Sequence, residues 1–169
     1  HNVSSAASDV YKRQVLELSS FQLETTSSLQ PRSATILNLS ADHMDRYADF
    51  GSYANAKKRI LTNAETAVIN VDDSNLAQLN IDDGVQKISF SLSCPTSDQE
   101  YGIRSDGSHE WIMRGFQKIV RTDLLSMNGR HNILNALAAI GLVESSGYLV
   151  SDRMIKALTE FRGLPHRCE

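Results

Sequence analysis

The sequence predicts an α/β protein built on an open, mostly parallel sheet flanked by helices, with a small antiparallel β meander attached. Three observations predict it. Apolar, β-branched runs recur at Ala34–Leu39 (ATILNL), Ala67–Val71 (AVINV) and Val85–Ser91 (VQKISFS), as in strands covered on both faces. Stretches with helical hydrophobic spacing separate them. Between Tyr101 and Leu125 the pattern turns to apolar–polar alternation broken by Asp-Gly and Arg-Gly turn signals, the pattern of hairpins.

Taken in order, Val15–Leu18 is a short apolar run that reads as a buried strand. Ser19 and Ser20 offer caps for a short helix through Leu29, and Pro31 ends it. Ala34–Leu39 is the next strand, and Ser40–Gly51 a loop rich in Asp, His and Arg. Ser52 reads as the N-cap of a helix through Asn63, with Tyr53, Ala56, Ile60 and Leu61 on one face. After the strand Ala67–Val71, Asp72, Asp73 and Ser74 can cap a short helix through Leu79. Val85–Ser91 is a further strand, and Tyr101–Leu125 the meander. Gly129–Ser146 is a long Ala/Leu-rich helix stopped by Gly147. Ser151 caps a last helix through Phe161, with Met154, Ile155, Leu158 and Phe161 facing inward, and Gly163–Leu164–Pro165 breaks it.

With 169 residues the chain can bury one sizeable core, and 41% hydrophobic and 22% charged residues are ordinary for a soluble domain. A net charge of −3 without a basic, aromatic-laced stripe argues against a nucleic-acid partner or an anionic membrane surface. No apolar run approaches the ~18 residues of a membrane helix. Two distant cysteines, Cys94 and Cys168, suit a reduced, cytoplasmic protein. Residues 1–14 are small and polar, then abruptly basic, and read as a non-native leader.

Three side chains stand where a strand gives way to a loop or a helix. Glu17 lies in an apolar run, where a carboxylate is costly unless paired or bound to a cation. Ligands of open α/β sheets bind outside the carboxyl ends of the strands, so Glu17 suits Mg²⁺, a metal that prefers oxygen and serves phosphates. A carboxylate satisfied by loop N–H groups is the plain alternative. His43, in the loop after the next strand, faces the same edge or is merely solvated. Lys57 shares a helical stripe with Tyr53, and a partly buried lysine can lose its proton and react with CO₂ to give an oxygen-bearing carbamate. Most helix lysines simply face solvent. His131, Asn132 and Asn135 open the long helix, where they either cap it or meet an anion and a purine edge. Arg167 can grip a phosphate bidentately or serve as a linker charge, and the Val71–Asp72–Asp73 run is best read as a helix cap.

The ordered blocks LELSSFQLETTSSLQ, DHMDRY, YANAKKRI, NVDD, GRHNILNALAA and GLPHR resemble the central, ATPase domain of the Mur ligases. SSFQL and DHMDRY resemble most the branch that adds D-glutamate to UDP-N-acetylmuramoyl-L-alanine. The resemblance covers residues 15–169. It implies a central domain over 15–165 and the start of a hinge at 166–169. It also implies Glu17, His43 and Lys57 as ligands of two Mg²⁺ ions, with Lys57 carbamylated. By the same resemblance Asn132 and Asn135 face ATP, His166 and Arg167 approach its phosphates, and Ser19, Gln22 and His43 line the muramoyl-peptide side. Lys57, His43 and Arg167 would be the catalytic set. The implied reaction is ATP-dependent amide formation through an acyl phosphate, in a cytoplasmic, monomeric enzyme of peptidoglycan synthesis that meets neither nucleic acid nor membrane. The family's glycine-rich phosphate loop has no match here, so the expectation is a fragment inactive alone. The alternatives are another Mur or folylpolyglutamate-type amide ligase and a non-catalytic nucleotide-binding module.

Overall fold

The computed structural model describes residues 14–41 and 44–163. Six strands form one sheet in chain order: β1 Ser33–Ile36, β2 Thr66–Asn70, β3 Gln86–Phe90, β4 Glu100–Ser105, β5 Glu110–Arg114 and β6 Gln117–Arg121. β1 to β4 pair in parallel and β4 to β6 antiparallel, so the meander continues the sheet rather than standing beside it. The helices are α1 Ser20–Thr25, α2 Phe50–Lys58, α3 Ser74–Ala77, α4 Arg130–Ser145 and α5 Asp152–Glu160.

β2 explains why the sheet is covered on both faces. All five of its residues are buried. Val68 belongs to a core with Phe90, Ile112, Leu137 and Ile140, under α4. Its neighbours Ala67 and Ile69 belong to a second core with Tyr53, Leu61 and Leu76, under α2 and α3. The two-residue period of a strand sends alternate side chains to opposite cores, so an unbroken apolar run is required. Burying each such valine, leucine or isoleucine contributes roughly 1.5–3 kcal/mol. α4 approaches closely because Gly141 faces Val68, where an added Cβ would lie 2.9 Å from Cγ1.

The elements differ from expectation in five places. Val15–Leu18 is not a strand: it makes no ladder among the described residues, and Val15 is 94% exposed. Three apolar residues around Glu17 carry no period, and a strand is stable only against a partner. α2 is capped by Asp49, whose Oδ1 accepts the Ser52 N–H at 2.7 Å, so the helix starts at Phe50 and Ser52 lies inside it. That hydrogen bond holds the Asp49 carboxyl below its usual range. α2 also ends at Lys58, and the chain turns through Asn63 at φ 60 before entering β2. α1 stops at Thr25 rather than Leu29, and α5 leaves Phe161 half-exposed rather than inward.

The Asp72–Asp73 pair is structural, as a cap reading predicts. Asp73 Oδ1 accepts the Asn75 and Leu76 N–H groups at the start of α3, and its Oδ2 accepts the Leu39 N–H at 2.7 Å. Asp72 Oδ2 accepts the Leu92 N–H at 2.6 Å. The loops leaving β1, β2 and β3 are thereby tied together at one end of the sheet.

Candidate functional site

Two anchors fix the direction of α4. Ser33, at the start of β1, donates to the Leu142 carbonyl at 2.9 Å near the end of α4. Glu110, which opens β5 beside the end of β4, accepts two bonds from Arg130 at 2.9 Å in the first turn of α4. α4 therefore runs antiparallel to β1–β4, and its first turn lies at the carboxyl ends of the parallel strands. A similar pair fixes α1 against α2. Arg59, just past α2, donates to the Leu23 and Thr26 carbonyls at the end of α1, at 2.8 and 3.1 Å. The carboxyl ends of α1 and α2 therefore meet, and α2, which crosses between the parallel strands β1 and β2, starts toward the carboxyl rim, where open α/β sheets bind ligands.

An aromatic ladder joins the segments carrying the sequence candidates. Phe21 of α1 stacks on Tyr47 with centroids 6.0 Å apart, and Tyr47 meets Tyr53 of α2 edge-on at 5.3 Å. A cation closes each end: the Arg46 guanidinium lies 4.7 Å from the Phe21 centroid, and Lys57 Nζ lies 5.2 Å from that of Tyr53. Such contacts stabilise by about 0.5–2 kcal/mol each. Tyr53 is 2% exposed and Lys57 half-buried above it, so the shared stripe predicted for these residues is present. Glu17 is exposed, three residues before α1. Two polar atoms of this region, Tyr47 Oη and Ser20 Oγ, are buried without a hydrogen-bond partner.

Ser19 and Gln22 form a capping box. The Gln22 N–H donates to Ser19 Oγ at 3.3 Å, and Gln22 Oε1 accepts the Ser19 N–H at 2.9 Å. At the start of α4, Asn132 Nδ2 donates to the Asn128 carbonyl at 2.7 Å, and Asn135 Nδ2 reaches Asn132 Oδ1 at 3.5 Å. Asn135 and His131 are exposed. His43, His166 and Arg167 lie outside the described residues. Among the described residues, no group of three His, Cys, Asp or Glu side chains could hold a metal ion. An ammonium at Lys57 repels a cation, so the lysine fits a metal only as a carbamate. Phe21, Arg46 and Tyr47 are the members of this region that the sequence candidates omit; aromatic and cationic residues beside the ligand positions were the available signal.

The Mur ligase middle domain family matches residues 1–143. The UDP-N-acetylmuramoylalanine–D-glutamate ligase of Methylobacillus flagellatus is 46% identical over 170 residues, 99% of this chain and 36% of that protein. That of Nitrosococcus oceani is 46% identical over 92% of this chain and 34% of its own. The chain thus spans about a third of the length of the curated relatives it matches. A solved UDP-N-acetylmuramoyl-L-alanyl-D-glutamate–2,6-diaminopimelate ligase aligns over 89% of this chain and 32% of its own, with TM-score 0.70 and 25% identity. MurF from Acinetobacter baumannii, at 23% identity, shares the fold with TM-score 0.60 over 83% of this chain and 31% of its own. Among the described residues no helix is long and apolar enough to cross a membrane. The chain belongs to the Mur ligase family and carries that family's middle domain.

Proposed function

We propose that this domain, over residues 15–165, is the ATP- and metal-handling part of a cytoplasmic ligase that joins D-glutamate to UDP-N-acetylmuramoyl-L-alanine in peptidoglycan synthesis. The observation that carries the reading is the aromatic ladder. It ties the helix after Glu17, the loop after His43 and the helix of Lys57 into one body, in a chain 46% identical to proteins named for that reaction.

The substrate carboxylate attacks the γ-phosphorus of ATP and ADP leaves. The amine of D-glutamate then adds to the acyl phosphate, inorganic phosphate departs, and the nitrogen loses a proton. Both partners of the first step are anions, so Mg²⁺, when bound, would offset charge in the transition state. Glu17 offers carboxylate oxygens and His43 an imidazole nitrogen for that purpose. Lys57 offers oxygens once its neutral amine has added CO₂ and lost a proton. Asn132 and Asn135 are suited to the nucleotide base, and His166 and Arg167 to its phosphates. Ser19 and Gln22 turn polar groups toward the muramoyl-peptide side while their mutual bonds keep α1 in place. The domain alone is a monomer with no turnover, because it holds only part of the substrate-binding surface.

The test is a ligase assay of the complete gene product with UDP-N-acetylmuramoyl-L-alanine, ATP, Mg²⁺ and a panel of amino acids. The expected result is phosphate release and a new amide with D-glutamate alone. Lys57→Ala should lower the rate by about 10² or more. Equal activity of Lys57→Ala, or preference for another amino acid, contradicts the reading.

A further inference from the structure

We propose that Asn128–Gly129 is a self-modifying site, at which Asn128 deamidates through attack by the Gly129 backbone nitrogen. Three observations carry this. First, Asn128 is the only asparagine in the chain followed by glycine, and the missing Cβ opens the path to the Asn128 carboxamide carbon. Second, both residues are exposed. The Gly129 N–H donates no hydrogen bond, and the Asn128 carboxamide makes none, among the described residues. Neither reacting group is tied down. Third, glycine is required at 129: φ is +102°, and an added Cβ would lie 2.9 Å from His131 Cε1. The backbone that starts α4 therefore fixes the reactive half of the dipeptide, and only the residue at 128 can vary.

The chemistry balances with water as the sole co-reactant. The Gly129 nitrogen bonds to Cγ of Asn128, the Cγ–Nδ2 bond breaks, and the amide nitrogen leaves as ammonia with the displaced proton. Water then opens the five-membered imide at either carbonyl, giving aspartate or isoaspartate. Isoaspartate adds a methylene to the main chain immediately before α4. The Asn128 carbonyl, which accepts from Asn132 Nδ2 at 2.7 Å, moves with it. The Gly129 carbonyl, which accepts the Asn132 and Ile133 N–H groups, lies just beyond. Ageing of this chain thus begins at the first turn of α4.

The experiment is incubation of the purified chain at several alkaline pH values and 37 °C, followed by intact mass, peptide mapping and enzymatic methylation of isoaspartyl carboxylates. The expected result is a gain of about one dalton assigned to the peptide containing Asn128, appearing faster as pH rises. Asn128→Ser, which leaves the required glycine in place, should abolish it. Hydrogen exchange of the first turn of α4 should quicken in parallel in the parent chain and stay constant in Asn128→Ser. No mass gain, a gain located at other asparagines while Asn128 stays intact, or an equal gain in Asn128→Ser overturns the proposal. These readouts need neither ATP nor a ligase assay, so their outcome is independent of the proposed reaction.

Discussion

Tyr101 and Tyr47 pose the same problem, a phenol hydroxyl in the interior, and the chain answers it in only one case. Tyr101 Oη donates to Glu144 Oε2 at 2.6 Å, and Arg114 Nε lies 3.2 Å from the same oxygen. Burial, then the neighbouring Glu144 carboxylate, pushes the Tyr101 phenol well above its ordinary range. The Glu144 charge likewise raises Arg114. Removing the acceptor strands the buried Tyr101 hydroxyl while the half-exposed Arg114 stays hydrated, so Glu144→Ala should cost about 1–3 kcal/mol in urea unfolding. Tyr47 Oη has no such acceptor. Its hydroxyl pays desolvation without return, and Tyr47→Phe, which keeps the ring in the ladder, should leave stability unchanged or raise it by about 1 kcal/mol. A loss of more than that in Tyr47→Phe would show that the hydroxyl has a partner in solution. A raised phenol also sets a sign. The Tyr101 contribution is full below the unfolded phenol's range and is lost as pH rises toward the folded value, so Tyr101→Phe should flatten the alkaline limb of a melting-temperature profile.

At the scale of the element, periodicity was a good guide to buried strands and a poor one to their edges. β2 was legible because a strand buried on both faces must be apolar throughout, and β3, exposed at Gln86 and Lys87, was legible from the two-residue spacing of Ile88 and Phe90. The run at Val15–Leu18 is also mostly apolar, yet it joins no ladder among the described residues and Val15 is 94% exposed, since four residues cannot say whether a neighbour exists to complete a ladder. Ser52 and Asp49 compete for one cap. Both residue types serve, and the choice depends on which carboxylate or hydroxyl reaches the orphan N–H, a fact of geometry. The ladder Phe21–Tyr47–Tyr53 was hidden for a related reason: its members come from three segments and share no spacing. The loop from β3 to β4 packs closely against Gly102 of β4. An added Cβ at Gly102 would fall 2.1 Å from the Ser93 carbonyl oxygen, which accepts the Ile103 N–H, and 2.9 Å from Pro95. A backbone atom cannot step aside as a side chain can. Gly102→Ala should therefore cost about 3 kcal/mol or more, against about 1–3 for Gly141→Ala, where only the Val68 methyl must yield. Equal melting temperatures for the two variants would refute that ordering.

For the whole molecule, the sequence nominates the candidate site's chemistry but carries no distances. The sequence supplies a carboxylate, an imidazole and an amine in successive blocks, but Glu17 stands before α1 on a segment that joins no ladder among the described residues, and His43 lies outside them. What it withholds is where Lys57 packs: its Nζ lies 5.2 Å from the centroid of the Tyr53 ring. The same scale governs response to acid. Hydrogen bonds from Lys118, from the His109 N–H and from Trp111 hold the Asp106 carboxyl far below the usual range. Arg121 lowers Asp123, and the Thr96 N–H lowers Glu100. These depressed groups stabilise the fold above the unfolded carboxylate range, and the contribution is lost as pH falls below about 4 toward the folded values. Asp106→Asn should shallow the acid limb of a melting-temperature profile; an unchanged limb would mean that the hairpin's ion pair is broken in solution. The proposed metal role of Glu17 and Lys57 is tested most directly by Mn²⁺ titration followed by electron paramagnetic resonance, on the complete gene product with ATP and bicarbonate present. Bound Mn²⁺ should weaken by about tenfold or more in both Glu17→Gln and Lys57→Ala, whereas Mn²⁺ binding that neither substitution changes would contradict that role.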